Sequence, residues 1–484
     1  MDYIPIAIFW ILALIGLFGK RSILIYLFFA TMPFGSFAAI PPALTAGLTL
    51  TPTPIIAGLL FGRTFLDGKA VRFAIAALCA PRGLMLLALF WVVAICVTLL
   101  MPRVFAGSVM VTPMKMTSFF HAEALVPTKQ NISQIAYLTI SVFTVITFAR
   151  LMLEPKNQQI ALKGLCLGGG IAVLTGILDM LSHHIAPLMP LLEIFRTARY
   201  ALMTDVKVAG GVQRVVGLMP EASAYGSLCV QLLILLYFMR HAITDDYLRR
   251  KVVPVIGGLL LIFTWLSTSS SAYVGLVAFG VFVLLEWLWR GKTAGKGTRK
   301  GRELELEFWV AFLVAGALFT VYIVKPQLFE PVFKLFDQMV LKKANSSSFE
   351  ERSYWNETSW NALLSTYGIG VGMGGTRASN EMIAIVSNTG FVGAFLYYGF
   401  ALQSLLRRAY PGDAVNASLV SGLRWSFLPG MTSGFLAGTS ADFGSKNAFL
   451  FGTLFAAAAL SWHTRRVSQS PPVQVEAPRE VSVS

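Results

Sequence analysis

Hydrophobic and polar positions fall in long blocks along this chain. Apolar runs of roughly 17–22 residues recur, each long enough to cross a hydrocarbon core of about 30 Å as a helix. They place about thirteen spans, near 4–18, 22–38, 42–61, 84–101, 134–152, 160–180, 223–239, 252–268, 272–289, 308–324, 391–406, 418–438 and 447–462. The short alternating strands of a membrane barrel are not the pattern. The third window, SFAAIPPALTAGLTLTPTPIIAGLLFG, is interrupted by prolines and threonines. It reads as a broken or re-entrant helix, which needs protein or a cavity to cover the freed backbone groups. The expected fold is all-α, a polytopic membrane bundle over 1–466. A polar, proline-containing, disordered cytoplasmic tail follows at 467–484.

Composition agrees. Only 13% of residues are charged and mean hydropathy is +0.68, against about 25% charged in a soluble protein. The net charge of +15 sits at the ends of apolar runs. It comes from RGKTAGKGTRKGRELELE (Arg290 to Glu307), RHAITDDYLRRK (Arg240 to Lys251), Arg63, Lys69, Arg72, Arg82, Arg407–Arg408 and the HTRR of the tail. With thirteen spans all of these share one face, which the positive-inside rule makes the cytoplasm. The N-terminus is then outside and the C-terminus inside. Loops near 102–133, 182–222 and 325–390 share the other face. No base-stacking motif accompanies the charge, so the expected partner is membrane lipid and not nucleic acid.

The four cysteines (Cys79, Cys96, Cys166, Cys229) lie in or beside apolar runs without ligand spacing. Of the histidines only His183–His184 form a pair, with no Cys or acid partner, so neither metal nor cofactor is expected. Asp2 stands where a signal peptide would carry basic residues, and no cleavage site is evident.

The longest polar interruption ends in NSSSFEERSYWNETSWNALLSTYGIGVGMGGTRASNEMIAIVSNTG, from Asn345. Before it, QLFEPVFKLFDQMVLKK has helical periodicity. Within it, Arg352, Trp355 and Ser359 are spaced to share one helix face. Earlier, Leu188 to Asp205 carries an apolar stripe with Arg196 and Arg199 on its polar side, suited to an interfacial helix. Arg352, Arg377 and Arg214 stand in outside loops near span starts, where a guanidinium suits bidentate phosphate binding. Each could equally pair with a headgroup, or Arg352 with Glu350 or Glu351. The glycines at 370, 372, 374 and 375, Gly372 and Gly374 among them, allow a backbone to approach phosphate, or serve a tight turn. Glu221, beside a span end, is the candidate general base, or a dipole-favouring helix-start acid. Glu357 and Glu381 compete with it, and Lys446 beside Asp442 could reach a diphosphate. Trp355, with Tyr354, Trp360 and Tyr367, could stack on sugar or belong to the interfacial belt.

The block RSYWNETSWNALLSTYGIGVGMGGTRASNEMIAIVSNTGFVGAFLYY resembles the signature of the O-antigen ligase and O-antigen polymerase superfamily. RVVGLMPEASAYGSL and TWLSTSSSAYVGL resemble its preceding blocks, in order, and the early GLTLTP also fits. Where the ligases place a His-Asn pair, this chain has Ser379-Asn380, which favours a polymerase and marks Asn380 as a substrate-side residue. The resemblance implies a C-type, metal-independent, inverting glycosyltransferase of the bacterial inner membrane with its active site facing the periplasm. Its donor would be glycan on undecaprenyl diphosphate. Its product would be exopolysaccharide, capsule or O-antigen, and its further partners other polysaccharide-export proteins. The alternatives are a ligase, a non-catalytic assembly partner and a transporter. For the last, no inverted repeat is visible.

Overall fold

The structure, a computed structural model, describes residues 3–41, 44–45, 49–114, 121–185, 187–198, 202–204, 213–293, 299–328, 330, 337 and 347–469. The helices in chain order are α1 (Ile4–Phe18), α2 (Arg21–Ala30), α3 (Pro52–Phe65), α4 (Gly68–Cys79), α5 (Met85–Val104), α6 (Lys129–Leu151), α7 (Pro155–Ser182) and α8 (Leu188–Glu193). They continue with α9 (Ala222–Met239), α10 (Val253–Leu266), α11 (Ser270–Thr293), α12 (Arg299–Val324), α13 (Ser347–Ser365), α14 (Glu381–Leu405), α15 (Ala414–Ala437) and α16 (Gly444–Gln469). Strands β1 (Met110–Val111) and β2 (Glu123–Ala124) pair antiparallel, Met110 opposite Ala124. Among the described residues seven helices, α5, α6, α7, α9, α11, α12 and α14, are long and apolar enough to cross a membrane. The fold is therefore all-α and suited to a bilayer.

Several windows shift for local reasons. The 22–38 run is helical only to Ala30, because Pro33, Gly35 and Ser36 follow. Ser36 donates from both N and Oγ to Leu218 O, at 2.9 and 2.8 Å, tying this turn to the segment before α9. The 42–61 window becomes helical at Pro52, a first-turn position that suits a fixed φ and needs no amide hydrogen. Helix α4 lay outside every window. It is short and amphipathic, and it starts where Asp67 Oδ1 accepts from Lys69 N at 3.0 Å. The 391–406 window begins early, at Glu381, because Asn380 Oδ1 caps it by accepting from Met382 N and Ile383 N. The loop expected over 325–390 therefore ends at 380. The periodic stretch after Gln327 falls almost wholly outside the described residues, as does the tail beyond Gln469.

The core is aromatic at its centre. Phe28 and Phe29 of α2, Phe148 of α6 and Phe449 of α16 meet edge to face, with centroids 4.9–5.2 Å apart. Gly452 lets α16 approach α6 so closely that a Cβ there would lie 2.4 Å from Val145 O. At one end of the bundle, Glu307 of α12 receives Arg240 NH2 at 2.7 and 2.8 Å and Arg290 NH2 at 2.7 Å. Arg290 also meets Glu286 at 2.8 Å. This network joins the ends of α9, α11 and α12. The opposite end carries α13, the strand pair and the segment before α9.

Candidate functional site

Helix α13 builds the site's floor. Trp355 and Ser359 are buried on one face of it, one turn apart. Ser359 Oγ donates to Arg377 O at 2.9 Å, and Arg377 N donates to Thr112 O at 2.9 Å beside β1. These bonds fix the backbone of Arg377 so that its guanidinium lies 4.0 Å over the Trp355 ring. Trp355 is thus covered by an arginine, and its expected sugar-stacking face is occupied. Arg352 and Glu351 lie one turn before Trp355 on α13, half-buried. The expectation that Arg352, Trp355 and Ser359 share a face holds in this geometry.

Electrostatics tie distant segments to this point. Burial lowers the pKa of Arg377, with Glu351 and Glu221 opposing the shift and Arg352 adding to it. Burial raises the pKa of Glu351, against the pull of Arg377 and Arg352. Burial likewise lowers Arg214, opposed first by Glu221 and then by Tyr273. Electrostatic influence thus runs from Arg214 to Glu221, from Glu221 to Arg377, and from Arg377 to Glu351 and Arg352, linking three parts of the chain. Glu221 is exposed at the start of α9. Its side chain does not cap that helix but accepts from Ser223 Oγ. Arg214 is anchored to the turn between α10 and α11, donating from Nε to Ser267 O at 3.3 Å and Thr268 Oγ1 at 3.2 Å. Among the described residues Arg352 makes no hydrogen bond or ion pair.

The glycine run is a splice into α14. That helix breaks at Gly390, where φ is +73°. In an unbroken helix Ser387 O and Asn388 O would accept from the amides of 391 and 392. Instead they accept from Val371 N at 2.9 Å and Gly372 N at 3.0 Å, and Phe391 N donates to Gly368 O at 2.9 Å. Met373 N goes to Thr98 Oγ1 at 2.9 Å. Gly372 is buried, with φ +86°, and a Cβ there would sit 2.9 Å from Thr98 Cα. Gly374, with φ +73°, packs on Gln130 and Gln134 of α6. The Gly372 amide is engaged by protein, so the role visible for these glycines is packing and turning. Asn380 acts as the cap of α14. Ser379 N is held by Asn356 Oδ1 at 2.7 Å, while Ser379 Oγ is buried without a hydrogen-bond partner among the described residues.

One pair went unread in the sequence. Asp179, fully buried in α7, receives Arg196 NH2 at 2.7 Å on Oδ1, and Val216 N and Gly217 N at 2.7 and 3.1 Å on Oδ2. The expected interfacial helix over Leu188–Asp205 is helical only to Glu193, and Arg196 turns inward to this pair. Its signal was a lone Asp inside an apolar run. The pair fixes the segment that carries Arg214 and leads to Glu221. Arg199 lies outside the described residues. Glu381 and Lys446 gather elsewhere, about α15, where a Cβ at Gly434 would overlap Glu381 Oε2 and one at Gly430 would lie 3.7 Å from Lys446 Nζ, while Asp442 Oδ1 accepts from Gly444 N at 3.1 Å. Among the described residues no three His, Cys, Asp or Glu side chains group as a metal site would require. Neither a protein-family model nor a curated protein matches the chain.

Proposed function

We propose that this protein is an integral-membrane glycosyltransferase. It joins oligosaccharide repeat units carried on undecaprenyl diphosphate at the outer face of a bacterial inner membrane. What supports the reading is the Arg377 guanidinium stacked on Trp355, linked electrostatically to Arg352, Glu351 and Glu221, with Arg214 linked in turn to Glu221. On this reading α1–α3, α5–α7, α9–α12 and α14–α16 are each taken as one passage, which would put these arginines outside and the basic loops in the cytoplasm.

The chemistry follows from the charges. An acceptor hydroxyl attacks the anomeric carbon of the donor sugar from the face opposite the diphosphate. The carbon–oxygen bond to phosphate breaks, and undecaprenyl diphosphate leaves with the electron pair. Arg352 and Arg377 offset the negative charge that grows on the leaving oxygens. Glu221 takes the proton of the attacking hydroxyl. Arg214 holds the Ser267–Thr268 turn beside this base. Inversion results from the single displacement. The Ser379-Asn380 pair, holding backbone where a ligase would place histidine, favours polymerisation over transfer to another acceptor.

The test is turnover by purified protein in nanodiscs, given undecaprenyl-diphosphate oligosaccharide and a chelator. Glycan should lengthen, with one undecaprenyl diphosphate freed per linkage. Arg352→Ala and Arg377→Ala should each lower turnover by about 10²–10³-fold, the usual cost of removing one charge-stabilising donor, while still inserting in the membrane. Normal polymerisation by both variants overturns the site. Solute uptake into proteoliposomes without glycan growth makes the protein a carrier.

A further inference from the structure

The end of α14 away from the charged group carries a second feature. A shallow, open cavity of about 450 Å³ at the surface is lined by Arg82, Gly399, Leu402, Gln403, Leu406 and Arg407. It lies between the last turns of α14 and the turn that precedes α5. A 25-residue helix is about 37 Å long, so this cavity is remote from the proposed glycosyl transfer and does not depend on it.

Its walls differ in kind. Leu402 and Leu406 are 57% and 61% exposed, an oily strip along α14. Opposite stands a rigid polar rim. Arg407 donates from NH2 to Gly83 O at 2.6 Å and from NH1 to Arg82 O at 3.1 Å, and its guanidinium lies 4.8 Å over the Phe455 ring. Gln403 Nε2 donates to Pro81 O at 2.7 Å. Two buried polar atoms of the same residues, Gln403 Oε1 and Arg407 Nε, have no hydrogen-bond partner among the described residues. Burial pulls the Arg407 pKa down to about 10, which leaves it charged at neutral pH. The Arg82 side chain is exposed and makes no hydrogen bond or ion pair among the described residues. No carboxylate lines the cavity. Two cations beside a leucine strip match a ligand that is anionic at one end and hydrocarbon at the other. Basic pockets between membrane helices at the cytoplasmic side commonly hold anionic headgroups.

We propose that this cavity binds one anionic phospholipid of the adjoining leaflet, its phosphodiester against Arg82 and Arg407 and an acyl chain along Leu402 and Leu406. The lipid would bridge the turn before α5 to the end of α14.

Native mass spectrometry of the detergent-released protein, titrated with phosphatidylglycerol, phosphatidylcholine or inorganic phosphate, tests this. Wild type should retain one phosphatidylglycerol more tightly than phosphatidylcholine, and millimolar phosphate should not displace it. Arg82→Ala should weaken retention about fivefold and Arg82→Glu roughly thirtyfold, as expected for removing and reversing one basic charge at a headgroup. Both keep the backbone carbonyl that Arg407 uses, so folding is preserved. Arg72→Glu, exposed on α4 and outside the cavity, should change nothing. The proposal is overturned if Arg82→Glu binds phosphatidylglycerol as wild type does, or if Arg72→Glu weakens it equally, which would mean diffuse surface charge. Equal retention of phosphatidylcholine, or phosphate binding as tightly as the lipid, also overturns it.

Discussion

Two groups of arginines stand at opposite ends of this bundle, and their partners differ in kind. At the α12 end, Arg240 and Arg290 meet Glu286 and Glu307, two guanidiniums for two carboxylates, with direct contacts of 2.7 and 2.8 Å. At the α13 end, among the described residues, Arg214, Arg352 and Arg377 interact electrostatically with Glu221 and Glu351. There Arg377 lies over an indole ring and Arg214 is held by backbone carbonyls. The first group, bidentate and balanced, serves as a fastener between helix ends. In the second the described contacts of Arg377 and Arg214 include neutral ones, an aromatic face and peptide oxygens.

Breaking the fastener should have the largest effect. Glu307→Gln leaves Arg240 and Arg290 without their shared carboxylate. It should cost about 3 kcal/mol of stability, the upper end for hydrogen bonds to a charged group, read as a lower unfolding temperature in detergent. Because α12 has none of its 304–324 window buried within the protein, its attachment should be what loosens. Next, Trp355→Leu removes the ring beneath Arg377 but keeps the apolar volume. A desolvated cation–π contact is worth about 2 kcal/mol, so turnover should fall roughly thirtyfold with a smaller change in unfolding temperature. Equal losses of both would make Trp355 a core residue only.

The smallest effect sharpens the comparison by pH. Burial holds the Glu351 carboxyl neutral to higher pH than a free glutamate. As pH rises through that raised range it gains negative charge beside Arg352 and Arg377, and their positive charge is offset. Affinity for a diphosphate should therefore weaken as pH rises. Diphosphate itself gains charge over the same range, so the readout is the difference between wild type and Glu351→Gln. The variant should bind at every pH about as the protonated wild type does. Parallel pH profiles would remove Glu351 from the group.

Much of this was legible in the chain. Apolar blocks mark where most helices lie, because a bilayer demands long runs of one polarity. Spacing alone put Trp355 and Ser359 on one face with Arg352. The glycines at 370, 372 and 374 could be read as special backbone, and all three have positive φ. What they are for could not be read. Their partners, Thr98, Asn388 and Gln130, come from three other helices, and no local pattern encodes that meeting. Asp179 and Arg196 escaped for the same reason. Each is weakly informative alone, and their pairing depends on the turn after α8 folding back. Chain termini of helices misled as well: α2 stopped short of Pro33, inside its hydropathy window, and Asn380 started α14 ahead of its own.

The break at Gly390 has a mechanical consequence. Ser387 and Asn388 carry on the ladder of α14 through Val371 and Gly372, so one membrane-crossing rod is completed by a strand from outside its own sequence. That strand cannot swing aside without unravelling the rod. Any opening at this end must therefore come from movement of α13 or of the chain leading into it, with the spliced segment standing still.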